Sequence, residues 1–160
     1  MATGGNAQIS NSTIAPNTAL SRGSGISATE HSCRIQLQST IVSNNGTAGD
    51  ANNVWAFPDS VSGANDLIPN AAGLPGSMPA DTLTADPLLQ PLAYNAGPTL
   101  THAIGDGSPA IDAGNDAIGL VFDQRGEPFM REVDAAADID ALERQPIPDE
   151  IFHSGFDENF

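Results

Sequence analysis

Lysine is absent from this chain, and several other residue types that often carry function are scarce. The 160 residues include one cysteine and one tryptophan, and five arginines stand against twenty acidic residues, so the formal net charge is −15. A single cysteine excludes an internal disulfide and leaves a cysteine-based metal site without partners. The negative charge argues against nucleic acid and anionic membranes as partners, because both require a cationic surface.

Long hydrophobic runs are missing as well. No stretch of 18 apolar residues occurs, and no cationic region followed by an apolar stretch stands at the start of the sequence. We therefore expect no membrane insertion by this segment, and we expect any export signal to lie upstream of Met1. Cys33 is interpreted as a small buried apolar residue.

Turn-forming residues are abundant. Sixteen glycines and twelve prolines, together with many Asn and Ser residues, interrupt nearly every stretch of the chain. This composition favours short strands joined by tight turns over helices.

A 27-residue repeat runs through the first half of the sequence. The triplet Ser-Thr-Ile at residues 12–14 is followed by Asn17, and it returns at residues 39–41 followed by Asn44. A weaker third copy lies at residues 65–68. A period of this length is typical of a solenoid in which each turn contains two or three short strands. In that arrangement the two asparagines are expected at bends, with their amides hydrogen-bonded between neighbouring turns.

Strict alternation of apolar and polar residues around the second triplet indicates strands. Ile35, Leu37 and Ile41 are expected to point inwards, with polar residues between them facing outwards. The sequence therefore predicts an all-β fold, with two to three coils of a solenoid over residues 6–70. Two ordinary antiparallel strands with a coincidental spacing are the alternative.

From about Ala71 onwards, prolines follow one another closely, and proline cannot donate to an interior strand ladder. Residues 71–144 are therefore predicted to form an irregular C-terminal cap over the end of the solenoid, since exposed strand edges and an open core need a cover. Residues 145–160 are predicted to be a proline-containing spacer and a short tail. The apolar residues expected to pack the cap are Leu83, Leu88, Leu89, Leu92, Tyr94 and Leu100.

Five motifs follow one another between Asp86 and Glu143. They are DPLLQPL at 86–92, NAGPTLTHA at 95–103, GSPAIDAG at 107–114, DQRG at 123–126 and DIDALE at 138–143. The series resembles the C-terminal region of the choice-of-anchor Q domain proteins, which are bacterial right-handed parallel β-helix repeat proteins. The chain departs from the family at Ala96 and Asp140, where the family usually has glycine, and this puts the turn geometry at both positions in question.

The resemblance implies that residues 6–70 form the end of a right-handed parallel β-helix of two to three coils, and it also implies a function. It implies the noncatalytic C-terminal part of a longer secreted or cell-surface bacterial protein with a structural or adhesin-like role. The expected partners are the upstream coils of the parent chain and a glycan or a surface protein. The segment Ile151–Asp157 resembles a short ending that some members carry, and a sorting role for it is a hypothesis.

Oxygen-rich side chains among glycines are candidates for a calcium site, although their spacing does not fit an EF-hand. They are Asp112, Asn115, Asp116 and Asp123. The alternative for Asp112 is that it orders turns by accepting backbone N–H bonds. Arg125 is interpreted as a donor that pins a loop, in preference to a ligand-binding group. No cofactor is expected.

The remaining side chains give little support to catalysis. His31, His102 and His153 are scattered singly, without partners at zinc-ligand spacing, and no serine has the surroundings of a nucleophile. The chain is therefore predicted not to be an enzyme. The alternative is the noncatalytic end of a polysaccharide lyase or glycosidase, whose chemistry requires paired carboxylates.

Overall fold

Seven short strands form the regular part of the computed structural model. The model describes residues 5–20, 23–28, 30–46, 53–74 and 76–145, and the predicted tail at Ile151–Asp157 lies outside these ranges. Neither an α-helix nor a helix able to cross a membrane occurs within them. The strands are β1 (Asn6–Ser10), β2 (Thr13–Ile14), β3 (Ile26–Ala28), β4 (Arg34–Gln38), β5 (Ile41–Val42), β6 (Val54–Ala56) and β7 (Val61–Ala64).

All strand pairing between these elements is parallel. The strands form three small sheets, with the orders β1-β4-β7, β2-β5 and β3-β6. Isolated parallel bridges join Ile41 to Leu67, Ala64 to Ala80, and Leu67 to Leu83, which carries parallel pairing beyond residue 70. The antiparallel alternative for the repeated triplets is therefore wrong.

The strand register differs by one residue from the repeat seen in the sequence. Thr13 pairs with Ile41 and Ile9 with Leu37, a spacing of 28 residues, whereas Ile41 is bridged to Leu67 at a spacing of 26. Identical residues of the two Ser-Thr-Ile triplets, 27 residues apart, are therefore not the ones that pair.

The predicted right-handed parallel β-helix is wrong for the described residues. The strands remain in three separate sheets of three, two and two strands, and no closed or continuous solenoid sheet forms. Residues with a positive φ stand between β1 and β2, between β4 and β5, and directly after β7, at Asn11 (47°), Ser39 (50°) and Asn65 (55°). A left-handed residue turns the chain out of the ladder, so strands of two to five residues end before the sheets can merge.

An inner core lies between the three sheets. The alternation predicted around Ile35 is confirmed, because Ile35 and Leu37 are buried while Arg34 and Gln36 are exposed. Cys33 is partly buried and packs against this core. The buried members are Ile26, Ala28, Ile35, Leu37, Val42, Val54, Ala56, Val61 and Ile68.

A second, outer core joins the strands to the C-terminal segment, which we define as residues 86–145. Ile41 and Leu67 project away from the inner core and pack against Ile104, Ala110 and Ile139. Leu83 and Leu89 border this cluster, as the cap prediction requires. The C-terminal segment thus packs on a flank that the strand residues Ile41 and Leu67 present.

Four residues expected to pack the cap are exposed instead. Tyr94 is 73% exposed, Leu100 57%, Leu92 54% and Leu88 39%. The packing prediction is wrong for these four side chains. An antiparallel bridge between Ala93 and Thr101 places Tyr94 and Leu100 in a hairpin, and neither residue belongs to the outer core.

Hydrogen bonds tie the C-terminal segment to the left-handed residues between the strands. The side-chain amide of Asn11 donates to the carboxylate of Asp116 at 2.8 Å. The Ser39 hydroxyl donates to the carbonyl of Asn115 at 2.8 Å and accepts its amide at 2.7 Å. Asn65 donates to a carbonyl two residues before Asn115, at 3.3 Å. The same residues that end the strands therefore hold the C-terminal segment.

Replacement of Gly63 by alanine is expected to destabilise the fold strongly. Gly63 has a φ of 135°, and an added Cβ would lie 1.7 Å from the carbonyl oxygen of Leu37 on the neighbouring strand. We expect Gly63→Ala to lower the free energy of unfolding by at least about 2 kcal/mol in urea denaturation. Gly5→Ala is the matched control, since nothing lies within 4 Å of its added Cβ. Equal stability of the two variants would contradict the strand register.

The position of the outer core is tested by Ile139→Ala against Leu92→Ala. Ile139 is fully buried, so its truncation is expected to cost about 2–5 kcal/mol in free energy of unfolding. Leu92 is half exposed and is expected to change stability by no more than about 0.5 kcal/mol. A larger loss of stability in Leu92→Ala than in Ile139→Ala would instead support the predicted packing of Leu92 in the cap.

Candidate functional site

A cluster of buried ionisable side chains lies where the C-terminal segment meets the strands. Arg131 is fully buried, and its Nη2 donates to the Asp138 carbonyl at 2.8 Å and to the Asn11 side-chain oxygen at 3.2 Å. Its Nη1 lies 3.6 Å from a carboxylate oxygen of Glu143. We call Arg131, Asp138, Asp140 and Glu143 the Arg131 cluster.

The carboxylates of Glu143 and Asp138 accept hydrogen bonds from backbone amides. The Glu143 oxygens accept the amides of Val133 at 3.2 Å and Asp138 at 2.8 Å. The Asp138 oxygens accept the amides of Asp112 at 2.8 Å and Arg144 at 2.7 Å. Each carboxylate therefore joins two backbone segments by hydrogen bonds, and in this way its charge stabilises the fold.

Burial also changes how these two carboxyl groups titrate. Desolvation raises the pKa of Glu143 from 4.5 to about 7, against the lowering effect of the Asp138 amide and of Arg131. Desolvation likewise raises the pKa of Asp138, while the amides of Arg144 and Asp112 oppose the rise. Raised pKa values occur in catalytic acids, and they occur equally in buried structural networks.

Asp123 and Arg125 form a second ionic contact beside the cluster. The guanidinium of Arg125 lies 2.5 Å from the Asp123 carboxylate and also donates to the Glu143 carbonyl at 2.5 Å. The same carboxylate accepts the Glu143 amide at 2.9 Å, and Arg125 stacks on the ring of Phe129 at 4.0 Å. Arg125 thus holds the 123–129 loop against residue 143, which agrees with its interpretation as a loop-pinning donor.

The candidate calcium ligands are engaged in other contacts. Asp112 accepts the amides of Ala135 at 3.2 Å and Ala136 at 3.3 Å, so it orders a turn. Asp116 is bonded to Asn11, and Asp123 is paired with Arg125. Within the described ranges, no group of three or more His, Cys, Asp or Glu side chains could hold a metal ion.

Paired acids do line one cavity of the C-terminal segment. Asp112, Asp134, Asp138 and Glu143 surround it, together with Arg144. A glycosidase requires one carboxyl group free to donate a proton and another free to act as base or nucleophile. Asp138 and Glu143 accept a backbone amide at each oxygen, whereas the exposed Asp112 accepts two amides at Oδ1. The two buried acids are therefore already bonded to the chain.

Two polar features lie on the strands themselves. Gln8, Gln36 and Ser62 stand in register across β1, β4 and β7 and form an exposed polar row beside a shallow cavity. Asn17 donates its side-chain amide to Asn45 at 3.0 Å, which is the predicted ladder displaced by one residue. Asn44, the residue named in the prediction, has a φ of 56° and lies at a bend, as expected.

The described histidines are placed apart. His31 stacks on Phe57 with ring centroids 3.7 Å apart, and the Nδ1 of His102 lies 2.7 Å from the Gln90 carbonyl. His153 falls outside the described residues. The structure thus gives each described histidine a local partner and brings neither to the Arg131 cluster.

Sequence reasoning did not single out Arg131, although the structure makes it central. The one feature of the sequence that could have pointed to Arg131 is the small number of cations. A chain with five arginines and no lysine has few groups to neutralise a buried acid.

Comparisons with protein-family models, with curated proteins and with solved structures found no match. The choice-of-anchor Q resemblance therefore remains a hypothesis from the sequence motifs.

Calcium is expected to have no effect on stability. Asp112, Asp116 and Asp123 already accept bonds from amides, Asn11 or Arg125, and a cation would have to displace these donors. The melting temperature should be the same in millimolar calcium and in EDTA. A saturable rise in calcium, abolished by Asp116→Asn, would establish the calcium site instead.

Proposed function

We propose that this chain is the noncatalytic C-terminal part of a secreted or cell-surface bacterial protein, with a structural or adhesin-like role. The observation that carries the proposal is the use of the buried charges. Asp123, Asp138 and Glu143 each accept bonds from backbone amides, and these bonds hold separate parts of the C-terminal segment to one another. Side chains committed in this way stabilise a fold, whereas catalysis requires groups that can exchange protons with a substrate.

The ordered motifs between Asp86 and Glu143 support the cell-surface part of the proposal. Their resemblance to choice-of-anchor Q domain proteins implies export, and the strongly acidic composition suits a surface that repels other acidic polymers. Because the net charge is −15, the proposed binding partner is a neutral glycan or a basic protein surface.

The strand edges suggest where the rest of a parent protein would attach. β1 is the outer strand of the three-stranded sheet, and β2 and β3 are outer strands of the other two. The side chains of Asn6, Ala7 and Gln8 are exposed along this edge. Parallel strands from the parent chain would satisfy the outward-facing backbone groups of β1, which would otherwise invite aggregation.

The cellular part of the proposal is tested by protease treatment of intact cells. An epitope-tagged chain, expressed from its native gene in the bacterium that carries it, is expected to be degraded on intact cells while a cytoplasmic control protein survives. Survival of the tagged protein until the cells are lysed would contradict a surface location.

The noncatalytic part is tested with the purified protein and polysaccharides of several classes, both acidic and neutral. We expect no release of reducing ends or unsaturated products. Turnover that is lost in Glu143→Gln, while the variant keeps the wild-type circular dichroism spectrum, would instead assign an enzymatic role to the cavity beside the Arg131 cluster.

A further inference from the structure

Two fully buried aspartates belong to the segments that form the contact between the strands and the C-terminal segment. We call this contact the seam: on the strand side it comprises residues 10–13, 39–41 and 65–67, and on the other side residues 104–143. Asp66 lies between Asn65, which donates to the C-terminal segment, and Leu67, which belongs to the outer core. Asp140 lies on the opposite side of the seam, where it accepts the Thr13 hydroxyl.

Each of these aspartates has one carboxyl oxygen well supplied with donors. The Oδ1 of Asp66 accepts the amide of Thr40 at 3.0 Å. The Oδ1 of Asp140 accepts the amide of Ala141 at 2.6 Å and the hydroxyl of Thr13, which belongs to β2. Thr13 also accepts the Ala141 amide at 3.3 Å, so this contact fastens the C-terminal segment to a strand.

The second oxygen of each carboxyl group has no such support. The Oδ2 atoms of Asp66 and Asp140 are buried and have no hydrogen-bond partner in the described part of the chain. An ionised carboxylate needs donors at both oxygens when water is excluded, because the charge is shared between them. The neutral acid is therefore the form that this geometry tolerates.

Burial outweighs the charged groups and amides that face Asp140. Arg131 lowers the pKa of Asp140 more than Asp138 raises it, and the amides of Ala141 and Leu142 lower it as well, but desolvation is the largest effect. For Asp66, burial raises the pKa and the hydrogen bond from the Thr40 amide lowers it. Burial raises the pKa of Asp66 from 3.8 to about 7 and that of Asp140 from 3.8 to about 8.

We propose that the seam is a pH-sensitive lock, in which the C-terminal segment stays docked while Asp66 and Asp140 are neutral and separates from the strands when both become ionised. The sign follows from proton linkage. Each folded-state pKa lies above the unfolded value of 3.8, so the stabilising contribution of the neutral acid is complete below that value. It is lost as the pH rises through about 7 and about 8, which makes mildly alkaline solution the releasing condition.

The test is a pH titration of isoleucine methyl groups followed by NMR. Ile104 and Ile139 report on the outer core at the seam, while Ile26 and Ile35 report on the inner core in the same sample. Between about pH 6 and about pH 9.5, the outer-core signals are expected to move to random-coil positions, and the inner-core signals are expected to stay. Retention of all four signals, or their loss together at one pH, would overturn the lock.

The double variant Asp66→Asn, Asp140→Asn supplies the mechanistic control. Asparagine keeps an acceptor at the Oδ1 position and cannot ionise, so the release midpoint should rise by at least about one pH unit. If the double variant lacks folded inner-core signals at acidic pH, Asp140→Asn alone is used, with the same direction of shift. Asp59→Asn, at an exposed position, is the matched control and should titrate as the wild type. An unchanged midpoint in the aspartate variants would refute the assignment to these residues.

Discussion

The buried guanidinium of Arg131 is the contact on which the arrangement of the C-terminal half depends. It reaches Asn11 in the turn before β2, the carbonyl of Asp138 and the carboxylate of Glu143, so one side chain joins the strand side to the C-terminal segment. A buried charge is costly without partners, and removing one partner of such a group typically costs about 3–5 kcal/mol. The carboxylates near Arg131 also depend on one another, because Glu143 accepts the amide of Asp138 and Asp123 accepts the amide of Glu143.

The two hydrophobic cores have different roles. The inner core forms among parallel strands that follow one another along the chain, and its residues alternate with exposed polar ones. The outer core forms only when residues 104–139 come back to Ile41 and Leu67. The second core is therefore the part whose stability responds to the ionic contacts and the pH, because both concentrate at the seam.

The sequence predicted local features better than long-range ones. Alternation around Ile35 and the spacing of the repeated triplets indicated short strands with a buried face, and parallel pairing at nearly that spacing is present. The continuous solenoid was wrong, because left-handed residues such as Asn11 and Ser39 interrupt the sheets, and periodicity alone does not reveal where a ladder ends.

The site was harder to predict for a physical reason. Proline and leucine content marked the start of an irregular segment, but it did not distinguish exposed Leu92 from buried Ile139. The contact of Asn11 with Arg131 spans 120 residues, and no local pattern encodes such a pairing. The interpretation of Arg125 required only a neighbouring acid, Asp123, and it agrees with the contacts observed.

Amide hydrogen exchange of Arg131→Met tests the central role of this arginine most directly. Methionine keeps much of the aliphatic volume, removes the positive charge 3.6 Å from the Glu143 carboxylate and leaves the Asp138 carbonyl without the guanidinium as a donor. The account predicts that protection falls at residues 104–143 and in the turn around Asn11, while β4 keeps its protection. Wild-type protection across the C-terminal segment would contradict it, since the segment would then be held without its buried charge.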